Sequence, residues 1–234
     1  MSDSAKLSET HTRDGGGRSM FNANAKQHER KLQESVLKIK SELESMYPEL
    51  KFTYRKKLYL SEIVEKLGKT FTPESKKPYV NPDGGLLFIE WNGTEYPILI
   101  SEAKKQGTLF FNEDGTLRKK LTKKQKKLAL SGKKQGRGNA FERAYKNIEE
   151  FKLYCEDLDY FPYILFACGK DFECGSSILD RLDAMTRYEP RNINYVADSK
   201  QKVTAYVQKK YFTANEMFEN IYDVAKTSLK CIGV

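Results

Sequence analysis

Asn92-Gly93 stands between two apolar runs, Leu86–Trp91 and Tyr96–Ser101, and no other short feature constrains this chain as tightly. A two-residue hairpin loop needs positive φ at its central positions, and Asn followed by Gly is the pair that supplies it most readily. A lone hairpin is marginal in water, so the chain must supply further strands or helices to cover it. Phe161–Ala167, short, apolar and rich in aromatics, suits a buried central strand. Further extended segments are expected at Lys51–Leu60, Ile193–Val196 and Val203–Val207. Leu32, Val36, Ile39 and Leu43 recur at helical spacing, which predicts a helix from about Gln27 to Met46. Other helices are expected at Ser61–Leu67 with Ser61 as N-cap, near Thr122–Leu130, over Asn139–Cys155, near Ser177–Arg187 and over Ala214–Thr227. Thr72–Pro82, rich in proline, is expected to be a loop. The mixed order implies an α/β or α+β fold around a central sheet.

At 234 residues the chain suits one domain large enough to bury its own core without staples. Residues 1–26 carry Ser, Asn and a glycine triplet without periodicity, and are expected to be a flexible arm ahead of a single domain at 27–234. No run nears the ~18 apolar residues of a membrane span, and the N-terminus lacks a signal peptide's apolar segment. Cys155, Cys168, Cys174 and Cys231 show no CxxC pairing, so reduced thiols packed as small hydrophobes and a cytoplasmic location are expected. The chain has 2 histidines, His11 and His28, both near its start. Histidine triads, His/Cys zinc sites and histidine general bases are therefore disfavoured.

The net charge of +9 is concentrated in one place. Arg118, Lys119, Lys120, Lys123, Lys124, Lys126, Lys127, Lys133, Lys134 and Arg137 fall in one stretch without an acid, and the rest of the chain sums to −1. Charge runs are most often solvated faces; that reading weakens here because no acid is interleaved, and a localised one-sign stretch is the electrostatic footprint of a polyanion partner.

Counting outward from the turn, Asp83 lies nine residues before Asn92 and Glu102 nine residues after Gly93. In an unbroken two-residue hairpin these positions face each other, and Lys104 shares the face of Glu102. Facing carboxylates repel unless a cation lies between them, and an oxygen-only pair with open positions suits Mg²⁺. Turn chemistry alone accounts for Pro82-Asp83-Gly84-Gly85, with Glu102 and Lys104 then an exposed rim pair. That reading leaves unexplained why a carboxylate ends an apolar strand opposite Asp83.

Pro82-Asp83 followed by Glu102-Ala103-Lys104 resembles the PD-(D/E)xK nuclease signature. The surroundings are more specific. Asn81-Pro82-Asp83-Gly84-Gly85, Ser101-Glu102-Ala103-Lys104-Lys105-Gln106-Gly107 and Gly138-Asn139-Ala140-Phe141-Glu142-Arg143 resemble the EcoRI-like type II restriction endonucleases, a similarity that runs from about residue 32 to 233. The resemblance implies an α/β restriction-endonuclease-like fold with a central mixed β-sheet flanked by helices. It implies that Asp83 and Glu102 hold Mg²⁺ beside the scissile phosphate of double-stranded DNA, and that Lys104 polarises the phosphate or orients the attacking water.

Asn139, Ala140, Glu142 and Arg143 match the family's base-reading segment, and Arg181 matches a further family arginine, while Ala184 replaces another. Asparagine suits the N6/N7 edge of adenine. Asn139 as N-cap with Glu142 three residues on is the competing, purely structural reading, and both can hold at once. Gly136-Arg137-Gly138 ahead of Asn139 is similar to the segment of the family's CAATTG-cutting, MunI-like members, which implies that Arg137 reads the outer guanine. The implied site is a palindrome with an AATT core, CAATTG favoured, with GAATTC or bare AATT as alternatives. Lys119, Lys120, Lys123, Lys124, Lys126, Lys127, Lys133 and Lys134 correspond to the region that embraces the DNA backbone. A palindrome implies a homodimer, and a restriction enzyme implies a cognate DNA methyltransferase. A repair or junction-resolving nuclease of the same catalytic fold, or a non-catalytic nucleic-acid-binding protein, are the alternatives.

Overall fold

A computed structural model of the chain describes residues 20–68, 78–105, 116–130, 139–169, 204–208 and 210–234. In chain order these form α1 (Met20–Met46), β1 (Lys51–Arg55), β2 (Leu58–Tyr59), α2 (Leu60–Lys66), β3 (Tyr79–Val80), β4 (Gly85–Trp91) and β5 (Thr94–Lys105). They continue with α3 (Lys123–Leu130), α4 (Asn139–Tyr154), β6 (Tyr163–Cys168), β7 (Thr204–Gln208) and α5 (Ala214–Ile232). Helix α1 begins at Met20 rather than near Gln27, so the end of the expected N-terminal arm is helical. α2 is entered from Tyr59, not capped by Ser61; the Glu62 carboxylate accepts from the Tyr59 N–H at 2.9 Å. α5 runs five residues beyond Thr227 and stops at Gly233. The segments expected at Ser177–Arg187 and Ile193–Val196 lie outside the described residues.

The main sheet has the order β1-β4-β5-β6-β7, with a separate β2–β3 ribbon. β1, β4 and β5 pair antiparallel, whereas β5–β6 and β6–β7 pair parallel, so the sheet is mixed. Every residue of β6 is buried, as its apolar sequence requires of a central parallel strand. One core, built on Leu32, Val36, Ile39, Leu87, Ile89, Phe166 and Ile221, lies where α1 and α5 cover one face. The other, built on Leu86, Phe88, Ile100, Ile148, Phe151 and Leu165, lies under α2 and α4. β5 and β6 are parallel, and their connection carries α4 across that second face, the usual route for a parallel crossover. Cys155 and Cys168 are buried as expected, but Cys231 is exposed. His28 is buried beside Cys168 Sγ at 3.6 Å, and burial followed by the Lys105 and Lys31 charges pushes it down to about 4.

Candidate active site

The β4–β5 turn is the hairpin that Asn92-Gly93 predicts, with φ of 50° at Asn92 and 76° at Gly93. From there the ladder runs regularly from Trp91↔Thr94 to Phe88↔Pro97, then jumps to Leu87↔Leu99. Ile98 is the extra residue of a β-bulge. Pro97 beside it has no N–H to give to a ladder, and bulges are where strand prolines are tolerated. Ile98 and Leu99 consequently both enter the α1/α5 core, and Ile100 then returns to the α2/α4 core. The unbroken register expected to face Asp83 with Glu102 is thus off by one, since Gly85 pairs with Ser101. The shift puts Glu102 and Lys104 on the face of Ile100, beneath α4.

Asp83 still reaches this face, because it sits in the turn ahead of β4 rather than in the ladder. Its N–H donates to Glu102 Oε2 at 3.1 Å, and its Oδ2 accepts from the Ala103 N–H at 3.3 Å. Lys104 Nζ donates to Asp83 Oδ2 at 2.7 Å and also pairs with Glu102, so the ammonium bridges the two carboxylates. Asn147 Nδ2, from α4, lies 3.4 Å from both oxygens of Glu102. Glu102 is 0% exposed, and Leu165 is its register partner on β6.

Burial in this apolar wall pushes Glu102 up to about 7; Lys104 opposes the shift and Asp83 adds to it. Burial also works against the Lys104 ammonium, but the charges and hydrogen bonds of Glu102 and Asp83 outweigh it and raise its pKa. A carboxyl whose folded pKa is raised binds its proton more tightly in the folded chain than in the unfolded one. Its stability contribution is therefore complete below its ordinary 4.5 and lost as pH climbs through about 7. Without divalent ions, the melting temperature is expected to fall across that window, and Glu102→Gln to remove this part of the slope.

Two carboxylates brought together at the mouth of the hairpin, Glu102 fully buried and Asp83 partly so, suit Mg²⁺, which commonly takes one or two protein carboxylates and completes its shell with water and substrate phosphate. Lys104 already occupies the place of a positive charge between them, so a bound cation competes with it for the same oxygens. The Tyr163 hydroxyl is buried without a hydrogen-bond partner among the described residues. Burial, then the charges of Glu102 and Asp83, push its pKa well up, which places it in the field of this cluster. The donor set fits the ion. No group of three or more His, Cys, Asp or Glu forms a denser metal cluster among the described residues.

The other expected site residues divide between α3 with the turn before it, the start of α4, and segments outside the described residues. Lys119 and Lys120 are exposed in a turn, and Lys123, Lys124, Lys126 and Lys127 are exposed on α3. Thr122 starts that helix: its hydroxyl accepts from the Gln125 N–H at 3.2 Å, and Gln125 Oε1 accepts from the Thr122 N–H at 2.8 Å. Asn139, Ala140 and Glu142 lie in the first turn of α4, and Arg143 is exposed one turn later. Lys133, Lys134, Arg137 and Arg181 lie outside the described residues. Asn147 and Tyr163 were not anticipated. The signal for Asn147 was its place on the helix, a polar residue four beyond Arg143 and next to the core position Ile148.

A mixed sheet whose antiparallel hairpin ends in Asp83, Glu102 and Lys104, beside a crossover helix, defines the restriction-endonuclease class of α/β fold. The family described as "Restriction endonuclease EcoRI" matches residues 14–187, and the chain belongs to that family. It is 29% identical to the type II restriction enzyme EcoRI of Escherichia coli, over 98% of this chain and 94% of that protein. It is 28% identical to the type II restriction enzyme RsrI of Cereibacter sphaeroides, over 94% of this chain and 90% of that protein. Among the described residues no helix is long and apolar enough to cross a membrane.

Proposed function

We propose that this protein is a Mg²⁺-dependent type II restriction endonuclease that cuts both strands of a palindrome with an AATT core, CAATTG favoured, leaving 5′-phosphates. The observation that carries the reading is the Asp83–Glu102–Lys104 cluster at the mouth of the hairpin, in a chain of the EcoRI family. Asp83 and Glu102 hold Mg²⁺, which neutralises charge on the phosphoryl oxygens and acidifies water close to the phosphate. Lys104, released from the carboxylates, donates to a phosphate oxygen or orients the attacking water. Asn139, Ala140, Glu142 and Arg143, at the start of α4, read the inner bases with Arg181, and the helix N-terminus favours the adjacent phosphate. Arg137 grips the O6/N7 edge of the outer guanine, the commonest specific contact to DNA.

The palindrome makes the working unit a homodimer, and a DNA methyltransferase acting on the same site protects the host without needing stable contact. Residues 27–234 act as the catalytic and recognition domain, with the N-terminal residues as an arm. Digestion of phage DNA with Mg²⁺ and sequencing of the fragment ends tests the reading. Discrete fragments ending at CAATTG are expected. A smear indicates a non-specific nuclease, and intact DNA that shifts in a gel indicates a binder only; either outcome defeats the proposal. Cutting at every AATT, or only at GAATTC, removes the outer-guanine role from Arg137.

Lys119, Lys120, Lys123, Lys124, Lys126, Lys127, Lys133 and Lys134 contact the DNA backbone in this reading. Phosphate contacts add affinity without sequence preference. Neutralising several of the six exposed lysines on α3 and the turn before it is expected to weaken cognate and unrelated DNA alike. The slope of log affinity against log salt is expected to flatten by about one unit for each phosphate left without its lysine. An unchanged slope would assign these lysines to solvent.

A further inference from the structure

We propose that Asn147 is a positioning residue that fixes the orientation of the Glu102 carboxylate and ties the catalytic strand to α4. The proposal rests on the reading of Asp83 and Glu102 as Mg²⁺ ligands. The other donors to Glu102, Lys104 and the Asp83 N–H, belong to the hairpin and its entry turn. Asn147 comes from a different element, with Nδ2 at 3.4 Å from both carboxylate oxygens, an amide straddling the carboxylate rather than capping one oxygen.

The chemistry of the side chain matters as much as its place. Lys104 competes with an incoming cation for Glu102, because both are positive. A neutral amide does not compete; it can keep its bond while the carboxylate also binds a metal. Partners of this kind, one bond out from the metal, commonly set the rotation and affinity of a ligand. Asn147 is half-buried on α4, four residues beyond the exposed Arg143. Asn139, Arg143 and Asn147 recur every four residues, which lines them along one flank of α4. The flank that begins at the proposed base readers therefore ends on a catalytic carboxylate.

The test compares wild type, Asn147→Ala, Asn147→Gln and Glu102→Ala. Mn²⁺ binding to the protein alone is read by electron paramagnetic resonance of the free ion. Single-turnover cleavage is read against Mg²⁺ concentration, and DNA affinity without divalent ions. Asn147→Ala is expected to weaken Mn²⁺ binding and raise the half-saturating Mg²⁺ concentration by roughly 10-fold. DNA affinity is expected to stay at the wild-type value with a small drop in melting temperature from the lost tie, and Asn147→Gln, which keeps the amide, to recover part of the loss. Should the alanine variant not fold, Asn147→Ser, too short to reach Glu102, gives the same comparison. Wild-type Mn²⁺ binding and Mg²⁺ dependence in Asn147→Ala, or in Asn147→Ser if the alanine variant does not fold, overturns the proposal and leaves the metal site standing. Glu102→Ala binding Mn²⁺ as wild type does overturns the metal site, and this proposal with it.

Discussion

Asp83→Ala and Glu102→Ala are each expected to lose cleavage by roughly 10²–10³-fold or more while retaining most of the DNA affinity. Each change removes one of the two carboxylates that Lys104 bridges, and with it half of the protein's share of the proposed Mg²⁺ site. Deleting one preorganised electrostatic partner of a transition state typically costs that much. Affinity survives because a carboxylate beside a phosphate contributes repulsion, not attraction, when no cation lies between them. Single-turnover cleavage with Mg²⁺ and gel shifts without it separate the two effects. Near-wild-type cutting by either variant would remove these residues from the chemistry.

Gly85→Ala is expected to destabilise the protein by roughly 2–5 kcal/mol, on the order of 10 °C in melting temperature. Two causes add at this position. Gly85 has a φ of 85°, where an L side chain is strained, and an added Cβ would lie 2.6 Å from the ring of Tyr54. Tyr54 cannot simply swing away, since its hydroxyl donates to the Gly84 carbonyl at 3.3 Å. Gly93→Ala is the matched control: φ there is 76°, but no atom lies within 4 Å of the added Cβ, so only the backbone strain remains. Equal melting temperatures for the two variants would refute the packing contribution. Because Gly85 follows Asp83 by two residues, the alanine variant should also lose activity below its melting temperature.

The hairpin was legible because its turn needs residues of a rare backbone conformation, and Asn92-Gly93 announces them. β6 was legible because a fully buried strand has no polar alternation to hide it. The start of α1 was not, because Met20–Lys26 lacks the apolar spacing that marks Leu32 to Leu43. At the site, the residue types and the convergence of Asp83, Glu102 and Lys104 could be read, but the register could not. A bulge is one residue long and leaves no periodic trace; Pro97 was its single visible sign. Asn147 escaped because its partner is 45 residues away, on another element, and only packing brings them together.

The extra residue at Ile98 makes the spacing between turn and site a matter of parity. Side chains alternate along a strand, so removing Ile98 would turn Glu102 and Lys104 over to the side of Ala103 and Phe166, away from Asn147. Asp83, anchored outside the ladder, would stay where it is. An uncompensated one-residue insertion or deletion between Gly93 and Glu102 therefore dismantles the site while preserving every residue in it. Two-residue changes restore the facing but slide Glu102 about 7 Å along the strand past Asp83 unless β4 changes with β5. Descendants of this sequence can drift in hairpin length only where β4 and β5 change together.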